Sequence, residues 1–437
     1  MDAKDESGVG VQTFARSEET VWTVLAYEYE VYLECDGERK VRMATGVDNE
    51  RKQNILIVHN YYQIPGGEDT VVANEKRMLE SQGHKVVLYS RNNSELKEML
   101  KLQKVMLPFR TVFNPRTYKE IRRLIKKEQI DVVHVHNTLN LISPAVYYAA
   151  RAMKVPVLQT VHNFRLLCPG ATFYRDGHIC EDCVSKGLMS AVKHNCYRGS
   201  KLQTLACVIS TKIHRMTGIY GKINYICLTE FNKNKLLQLK QINADRVFVK
   251  PNFVEASTDE PIPYEKRENQ FIFVGRLDKL KGIDILFEVW KQMGTTAPKL
   301  IVCGTGPMEG GCKDFLKDNP ECNIEMRGFV PNKEAKKLIA NSKALILPTQ
   351  WYEGFPMTIV EAFSVGTPVI GSDLGNVGSL IADSLGAKFK YDSKEELLNA
   401  ISRCSYKPEI IQEFFIKNYS EKMNYLILIQ CYKRAGR

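Results

Sequence analysis

From Asn54 onward, short apolar runs alternate with helical stretches, and several of the runs end on glycine turns. Asn54-Ile-Leu-Ile-Val58 reads as a buried strand and Pro65-Gly66-Gly67 as a glycine loop. A helix over Thr70 to Gln82, closed by Gly83, leads to a strand at Lys85 to Tyr89. Further strands fall at Val132–His136, Val155–Val161, Tyr225–Leu228 and Val247–Lys250. Such alternation specifies a parallel sheet covered by helices on both faces. Pro251 to Gln270, rich in Pro, Glu, Asp and Lys, interrupts the rhythm as an interdomain linker does. A second series follows, with strands at Phe271–Val274, Lys299–Cys303, Ile324–Arg327, Ala344–Leu347 and Pro368–Gly371. A helix from Lys394 to Cys404 opens on a capping box of Ser393 and Glu396.

At 437 residues the chain exceeds one ordinary core. The expected organisation is an α/β domain over residues 53–255, a linker over 256–270 and a second α/β domain over 271–405. The helical stretch over 406–437 is too polar for a third domain. Two doubly wound parallel-sheet domains facing each other make a cleft, and ligands of such sheets bind beyond the carboxyl ends of the strands. Residues 1–52 stand outside the pattern. Glu28 to Met43 alternates loosely around Asp36-Gly37, a hairpin signal. This stretch is either a small appended hairpin or the product of an upstream start codon, with Met43 nearer the true beginning. No apolar run approaches the roughly 20 residues that span a bilayer. Met1 to Gly10 is acidic and polar, unlike a secretory signal. The expected location is the cytoplasm.

The net charge is +11, which suits a phosphorylated ligand, an anionic membrane or nucleic acid, as well as plain solvated helices. The charge is dense from Lys97 to Lys127, where Leu96, Met99, Leu100, Val105, Met106, Leu107 and Phe109 are interleaved with it. That mixture suits the face of an anionic bilayer.

The strongest chemical constellation is Thr349-Gln-Trp-Tyr-Glu-Gly-Phe-Pro-Met-Thr-Ile-Val-Glu-Ala362. It sets Glu353 in a loop after a strand and Glu361 inside the next helix, with Pro356 at the first turn. The free amides at that helix start, around Gly354 to Thr358, form an anion site. The two carboxylates can each accept hydrogen bonds from sugar or ribose hydroxyls. Val274-Gly-Arg-Leu-Asp-Lys-Leu-Lys-Gly282 ends a strand on Gly275 and supplies Arg276 and Lys281, a fork and a point charge for a diphosphate. Cys303-Gly-Thr-Gly-Pro307 places Gly304 and Gly306 at a further strand end, where backbone can approach a nucleotide.

Together these residues resemble glycosyltransferase family 4, retaining nucleotide-sugar enzymes of the GT-B fold. The matches are Arg276 with Lys281, the Gly304–Gly306 turn, Glu353 and Glu361 spaced as E-x7-E, the Gly66-Gly67 loop and the strand-end His162. The resemblance covers about residues 54–405. It implies transfer of a sugar, with retention, from a UDP- or GDP-linked donor to a glycan or lipid-linked acceptor, as in cell-surface polysaccharide synthesis. By the same resemblance Arg276 and Lys281 neutralise the leaving diphosphate, Glu361 holds the ribose and Glu353 orients the donor sugar. The backbone at Gly354, Phe355 and Pro356 positions sugar and phosphate, His162 stands near sugar and acceptor, and the last helix crosses back to the first domain. No cofactor is needed for catalysis, since the basic pair takes the place of a divalent metal, and no Asp-x-Asp lies between Arg276 and Glu361. The protein is expected in the cytoplasm or peripherally on the inner membrane face.

His134 and His136 alternate on one strand face and suit substrate contact, core packing or metal. An insertion over 165–200 follows His162. In it Cys180-Glu-Asp-Cys183 has the C-x2-C spacing that zinc favours, flanked by Cys168 and Cys196. One reading is a structural zinc on these four thiolates; the other is a set of thiols in a loop over the acceptor cleft. Two further classes share parts of the pattern. A nucleotide-sugar epimerase would need an acid and a base at the sugar carbon, and the E-x7-E arrangement favours transfer instead. A nucleic-acid-binding zinc module would use the charge and the cysteines, but the basic residues lack interleaved stacking aromatics, so nucleic acid is not an expected partner.

Because residues 1–52 stand outside the alternation, a chain beginning at Arg51 is expected to express as soluble protein. Recovery only in inclusion bodies would place the first segment in the core.

Overall fold

The computed structural model describes residues 23–27, 30–34, 41–44, 51–63 and 66–436. The chain divides into two compact units, residues 1–52 and 53–437. In the first unit, β1 (Thr23–Tyr27), β2 (Glu30–Glu34) and β3 (Val41–Ala44) form an antiparallel sheet. β2 and β3 are the paired strands expected there, while the Asp36-Gly37 turn lies outside the described residues.

The second unit holds two six-stranded parallel sheets. The first runs β11-β10-β7-β6-β4-β5. Its strands are β4 (Asn54–Tyr61), β5 (Lys85–Asn92), β6 (Val132–Asn137), β7 (Val157–Val161), β10 (Asn224–Cys227) and β11 (Val247–Val249). A two-stranded ribbon of β8 (Tyr174–Arg175) and β9 (His178–Ile179) lies in the insertion. The second sheet runs β14-β13-β12-β15-β16-β17. It comprises β12 (Gln270–Val274), β13 (Lys299–Cys303), β14 (Ile324–Gly328), β15 (Ala344–Leu347), β16 (Val369–Ser372) and β17 (Gly386–Phe389).

Among the helices are α1 (Gly67–Ser81), α2 (Lys101–Val112), α3 (Pro115–Glu128), α4 (Lys201–Met216) and α5 (Glu230–Leu237). The second domain contributes α6 (Ile283–Met293), α7 (Met357–Ser364) and α8 (Gly375–Leu380), and the chain ends with α9 (Pro408–Tyr419) and α10 (Glu421–Ala435). No described helix is long and apolar enough to cross a membrane.

The central strands are apolar on both faces, as helices on both sides require. On β12, Ile272 packs with Leu345, Ile359 and Phe363, while Phe271 and Phe273 pack with Leu286, Trp290 and Val302 on the other face. β7 starts at Val157 rather than Val155 because Pro156 has no N–H to give a ladder.

The carboxyl-terminal stretch is two helices, broken at Ser420, whose hydroxyl accepts from the Met423 amide and so starts α10. α9 buries Ile411, Phe415 and Tyr419 in the second domain. α10 crosses to the first domain, as expected. There the Tyr425 hydroxyl meets His84 at 2.9 Å, Tyr432 meets His134 at 2.8 Å, and Lys250 donates to Asn424 at 2.6 Å. Lys250 also pairs with Glu75 at 2.8 Å, both side chains fully buried. Burial alone would raise Glu75, but Lys250 and His136 outweigh it and hold the carboxyl well below its usual range.

Removing one member of such a pair leaves a bare buried charge, which costs about 3–5 kcal/mol. Lys250→Ala is expected to lose stability on that scale in urea unfolding, and Glu75→Leu combined with Lys250→Met to recover much of it. A double variant no better than the single one would assign the loss to packing.

Candidate active site

The carboxyl ends of both sheets converge around the loop from Thr349 to Pro356. Glu353 is buried there, accepting from Lys281 Nζ at 2.6 Å and from the Thr349 hydroxyl at 3.0 Å. Lys281 arrives on the short turn after β12, and Gly282 follows it with φ 69°. A Cβ at Gly282 would stand 1.8 Å from the Pro348 carbonyl oxygen, so glycine alone lets the two loops meet. Arg276 stands exposed on the same turn, its guanidinium against Asp278. The Gly304–Gly306 turn packs on this β12 turn. A Cβ at Gly304 would fall 1.8 Å from the Gly275 carbonyl oxygen, so these glycines permit backbone to meet backbone.

α7 begins behind Pro356 and carries Glu361 on its second turn. Glu361 accepts from Asn332 at 2.7 Å. Burial raises its carboxyl above the usual range, against the pull of Asn332 and Lys336. The Gly66-Gly67 loop reaches α7 from the first domain: a Cβ at Gly67 would touch the Met357 side chain at 3.9 Å. His162 approaches from β7, and a Cβ at Gly354 would stand 2.3 Å from its carbonyl oxygen. The structure thus gathers Lys281, Glu353, Gly354 and the backbone of His162 directly, with Arg276 and Glu361 on flanking elements. Cys168, Cys180, Cys183 and Cys196 stand apart, in the insertion beyond His162.

Several residues absent from the sequence reading fix this loop. Asn376, on α8, reaches the Glu353 and Gly354 carbonyls at 2.6 and 2.7 Å. Asn232, from the first domain, donates to the Gly354 carbonyl at 2.8 Å. The Thr229 hydroxyl caps α5 and also bonds to Asn376. The available signal was Asp373-Leu-Gly-Asn-Val-Gly378, a further glycine turn after a strand.

The imidazole of His162 is set by a buried chain. Its Nε2 lies 2.9 Å from His136 Nδ1, and His136 Nε2 faces the Glu75 carboxylate at 3.4 Å. His136 thus links His162 to Glu75, whose carboxyl is held ionised. Burial, reinforced by His136, lowers the His162 pKa well below 6.5, so the ring is held neutral. His136 and His162 line a cavity of about 100 Å3 with Asn137, Thr138, Asn163 and Arg165. His134 is a core residue, hydrogen-bonded through both ring nitrogens to Tyr432 and Thr160.

Residues 65–179 match the family model described as Glycosyltransferase Family 4, and residues 256–420 match Glycosyl transferases group 1. The chain is a glycosyltransferase of this family. Its two sheets carry the two matched modules, and the GT-B architecture follows. The glycosyltransferase is 22% identical over 390 residues to an uncharacterized 41.2 kDa protein in the cps region of Klebsiella pneumoniae, covering 86% of this chain and 99% of that one. It is 22% identical to the phosphatidylinositol N-acetylglucosaminyltransferase gpi3 subunit of Schizosaccharomyces pombe, over 78% of this chain and 70% of that one. Among solved structures, Anabaena Alr3699/HepE in complex with UDP shares the fold with a TM-score of 0.60 at 14% identity, over 86% of this chain and 98% of that one.

Beside the Gly66-Gly67 loop of the glycosyltransferase, Glu68 accepts from the Tyr62 hydroxyl at 2.9 Å. Burial raises its carboxyl from 4.5 to about 8, against the hydrogen bond from Tyr62. Between those values the folded protein holds a proton that the unfolded chain has lost, so stability falls as pH rises through this window. Glu68→Gln is expected to flatten that fall in melting temperatures taken from pH 5 to pH 8. An unchanged slope would show that Glu68 is already ionised.

Proposed function

We propose that this glycosyltransferase moves a hexosyl group, with retention, from a nucleoside-diphosphate sugar to a lipid-linked glycan held at an anionic membrane face. The observation that carries the donor reading is the pairing of Lys281 with buried Glu353, beside Arg276 and the start of α7. A diphosphate entering there exchanges with Asp278 for the Arg276 guanidinium and meets the Lys281 ammonium, while the first amides of α7 face its oxygens. Both cations then neutralise charge that grows as the glycosidic bond breaks, in place of a divalent metal. Glu353, released in part from Lys281, accepts from donor-sugar hydroxyls, and Glu361 from the ribose. The departing phosphate takes the acceptor proton, and the neutral His162 orients sugar and acceptor hydroxyls. UDP in the Anabaena structure supports a nucleotide-sugar donor.

The membrane reading rests on the first domain. Leu100, Val105 and Phe109 are 70%, 66% and 68% exposed on and before α2, beside Lys101, Lys104 and Arg110. α4 packs against α2 and exposes Leu202 and Met216 at 72% and 86%. An apolar and basic ridge of this kind suits the surface of an anionic bilayer. The lipid in the name of the yeast relative and the cps region of the Klebsiella relative support an acceptor of this class.

Arg276→Ala and Lys281→Ala are each expected to lower turnover on the order of 10²–10³-fold, Arg276→Ala with melting temperature unchanged and Lys281→Ala with a lower one, since it leaves the buried Glu353 carboxylate without its cation. Glu361→Ala is expected to raise KM for the donor while sparing turnover. The assay is release of UDP or GDP from a panel of sugar nucleotides, with NMR of the anomeric proton in the product. Near-parental turnover in both basic variants would put the diphosphate elsewhere, and an inverted product would exclude retention.

A further inference from the structure

The insertion after His162 has little core of its own. Its regular elements are the two-residue strands β8 and β9 and helical segments at Asp182–Ser185 and Met189–Lys193. Its backbone is nevertheless exacting. Of the nine described non-glycine residues with positive φ, five lie here: Ala171, Phe173, Asp176, Asn195 and Arg198. Side-chain-bearing residues stay in that conformation only where their surroundings demand it. At Ala171 and Phe173 the demand is visible, because the turn they shape aims the amides of Gly170, Thr172 and Phe173 at the Cys168 sulfur. The Cys183 thiol bonds to the same sulfur, and Cys180 and Cys196 are electrostatic neighbours of Cys183. Gly170 keeps Cys196 close to Cys168: a Cβ there would stand 3.5 Å from the Cys196 Cβ and 3.7 Å from the Cys168 sulfur.

We propose that Cys168, Cys180, Cys183 and Cys196 bind one zinc ion as a structural, all-thiolate site. Four thiols, each losing its proton, supply the charge and the soft donors that zinc takes tetrahedrally at about 2.3 Å. The amide cradle disperses thiolate charge at Cys168, as outer-shell donors do around such ions. A different group, Glu75 with His134 and His136, already has its donor atoms within 4.8 Å, but Lys250 stands 2.8 Å from Glu75 and both His134 nitrogens are engaged. The cysteine sulfurs are spread more widely, and zinc binding draws them together.

The site also bears on the cleft. Between Cys180 and Cys183, Glu181 accepts from Lys235 at 2.6 Å and from the Tyr352 hydroxyl at 3.2 Å, next to Glu353 in the donor loop. The Tyr352 ring lies 6.3 Å from that of Phe173. Zinc would therefore fix the wall against which the donor loop rests, whatever donor is used.

The test uses the full chain, purified under reducing conditions without chelator. Elemental analysis is expected to give about one zinc per chain. Methyl methanethiosulfonate should release that zinc, detected with a chromogenic chelator, as four thiols are modified. Cobalt exchanged into the intact protein should show thiolate-to-cobalt charge transfer and tetrahedral d–d bands. Cys180→Ser with Cys183→Ser should lose the metal and melt lower, and if that variant does not fold, the parent's cobalt spectrum decides. Reduced protein that takes up neither zinc nor cobalt, a cobalt spectrum without thiolate bands, or a Cys168–Cys183 disulfide in freshly purified protein would each overturn the proposal.

Discussion

The first domain is organised around one buried ion pair. Glu75 on α1 and Lys250 at the end of β11 are both stripped of water, and two charges in that position persist only if every remaining donor and acceptor is matched. Matching them recruits Asn424 and, through His134, Tyr432 from α10, so the last helix is held by polar contacts as well as by its apolar face. The same carboxylate faces His136, which in turn meets the ring of His162.

The second organising constraint is the approach of two backbones. Gly354 meets the His162 carbonyl too closely for any side chain, and Asn232 and Asn376 hold its own carbonyl from opposite domains. The donor loop is therefore clamped before anything binds. Its charges are pre-paired as well, Lys281 with Glu353 and Arg276 with Asp278. Under the proposed function, binding would exchange partners for these cations instead of recruiting bare charges, which would lessen the cost of desolvation.

Much of this was legible in the residues. Buried parallel strands have a distinctive apolar run, and strand-end glycines mark where loops must touch, so both sheets and the Arg276, Lys281, Glu353 and Glu361 constellation could be read directly. β17 escaped because Gly386-Ala-Lys-Phe389 is a four-residue edge strand with no apolar run. The β8–β9 ribbon escaped for the same reason. The break at Ser420 was hidden because a capping serine inside a helical pattern looks like any polar position. Asn232 and Asn376 were out of reach for a deeper reason: their partners are backbone carbonyls 122 and 22 residues away, and backbone leaves no trace in composition. Glu75 read as an ordinary polar helix position, since nothing local tells a solvated glutamate from one facing a lysine distant in sequence.

The route of α9 and α10 bears on how the molecule is made. Translation proceeds from the amino end, so the first sheet leaves the ribosome long before the residues that complete its interior. Until Asn424 and Tyr432 emerge, Lys250 and His134 lack those partners, and the nascent first domain carries an open polar seam. The polar interior of the first half is thus closed by the helix that follows the second. Completion of the first waits for the final turns of the chain, and a ribosome that stops at Ser420 releases a protein whose damage lies mainly in the domain it finished first.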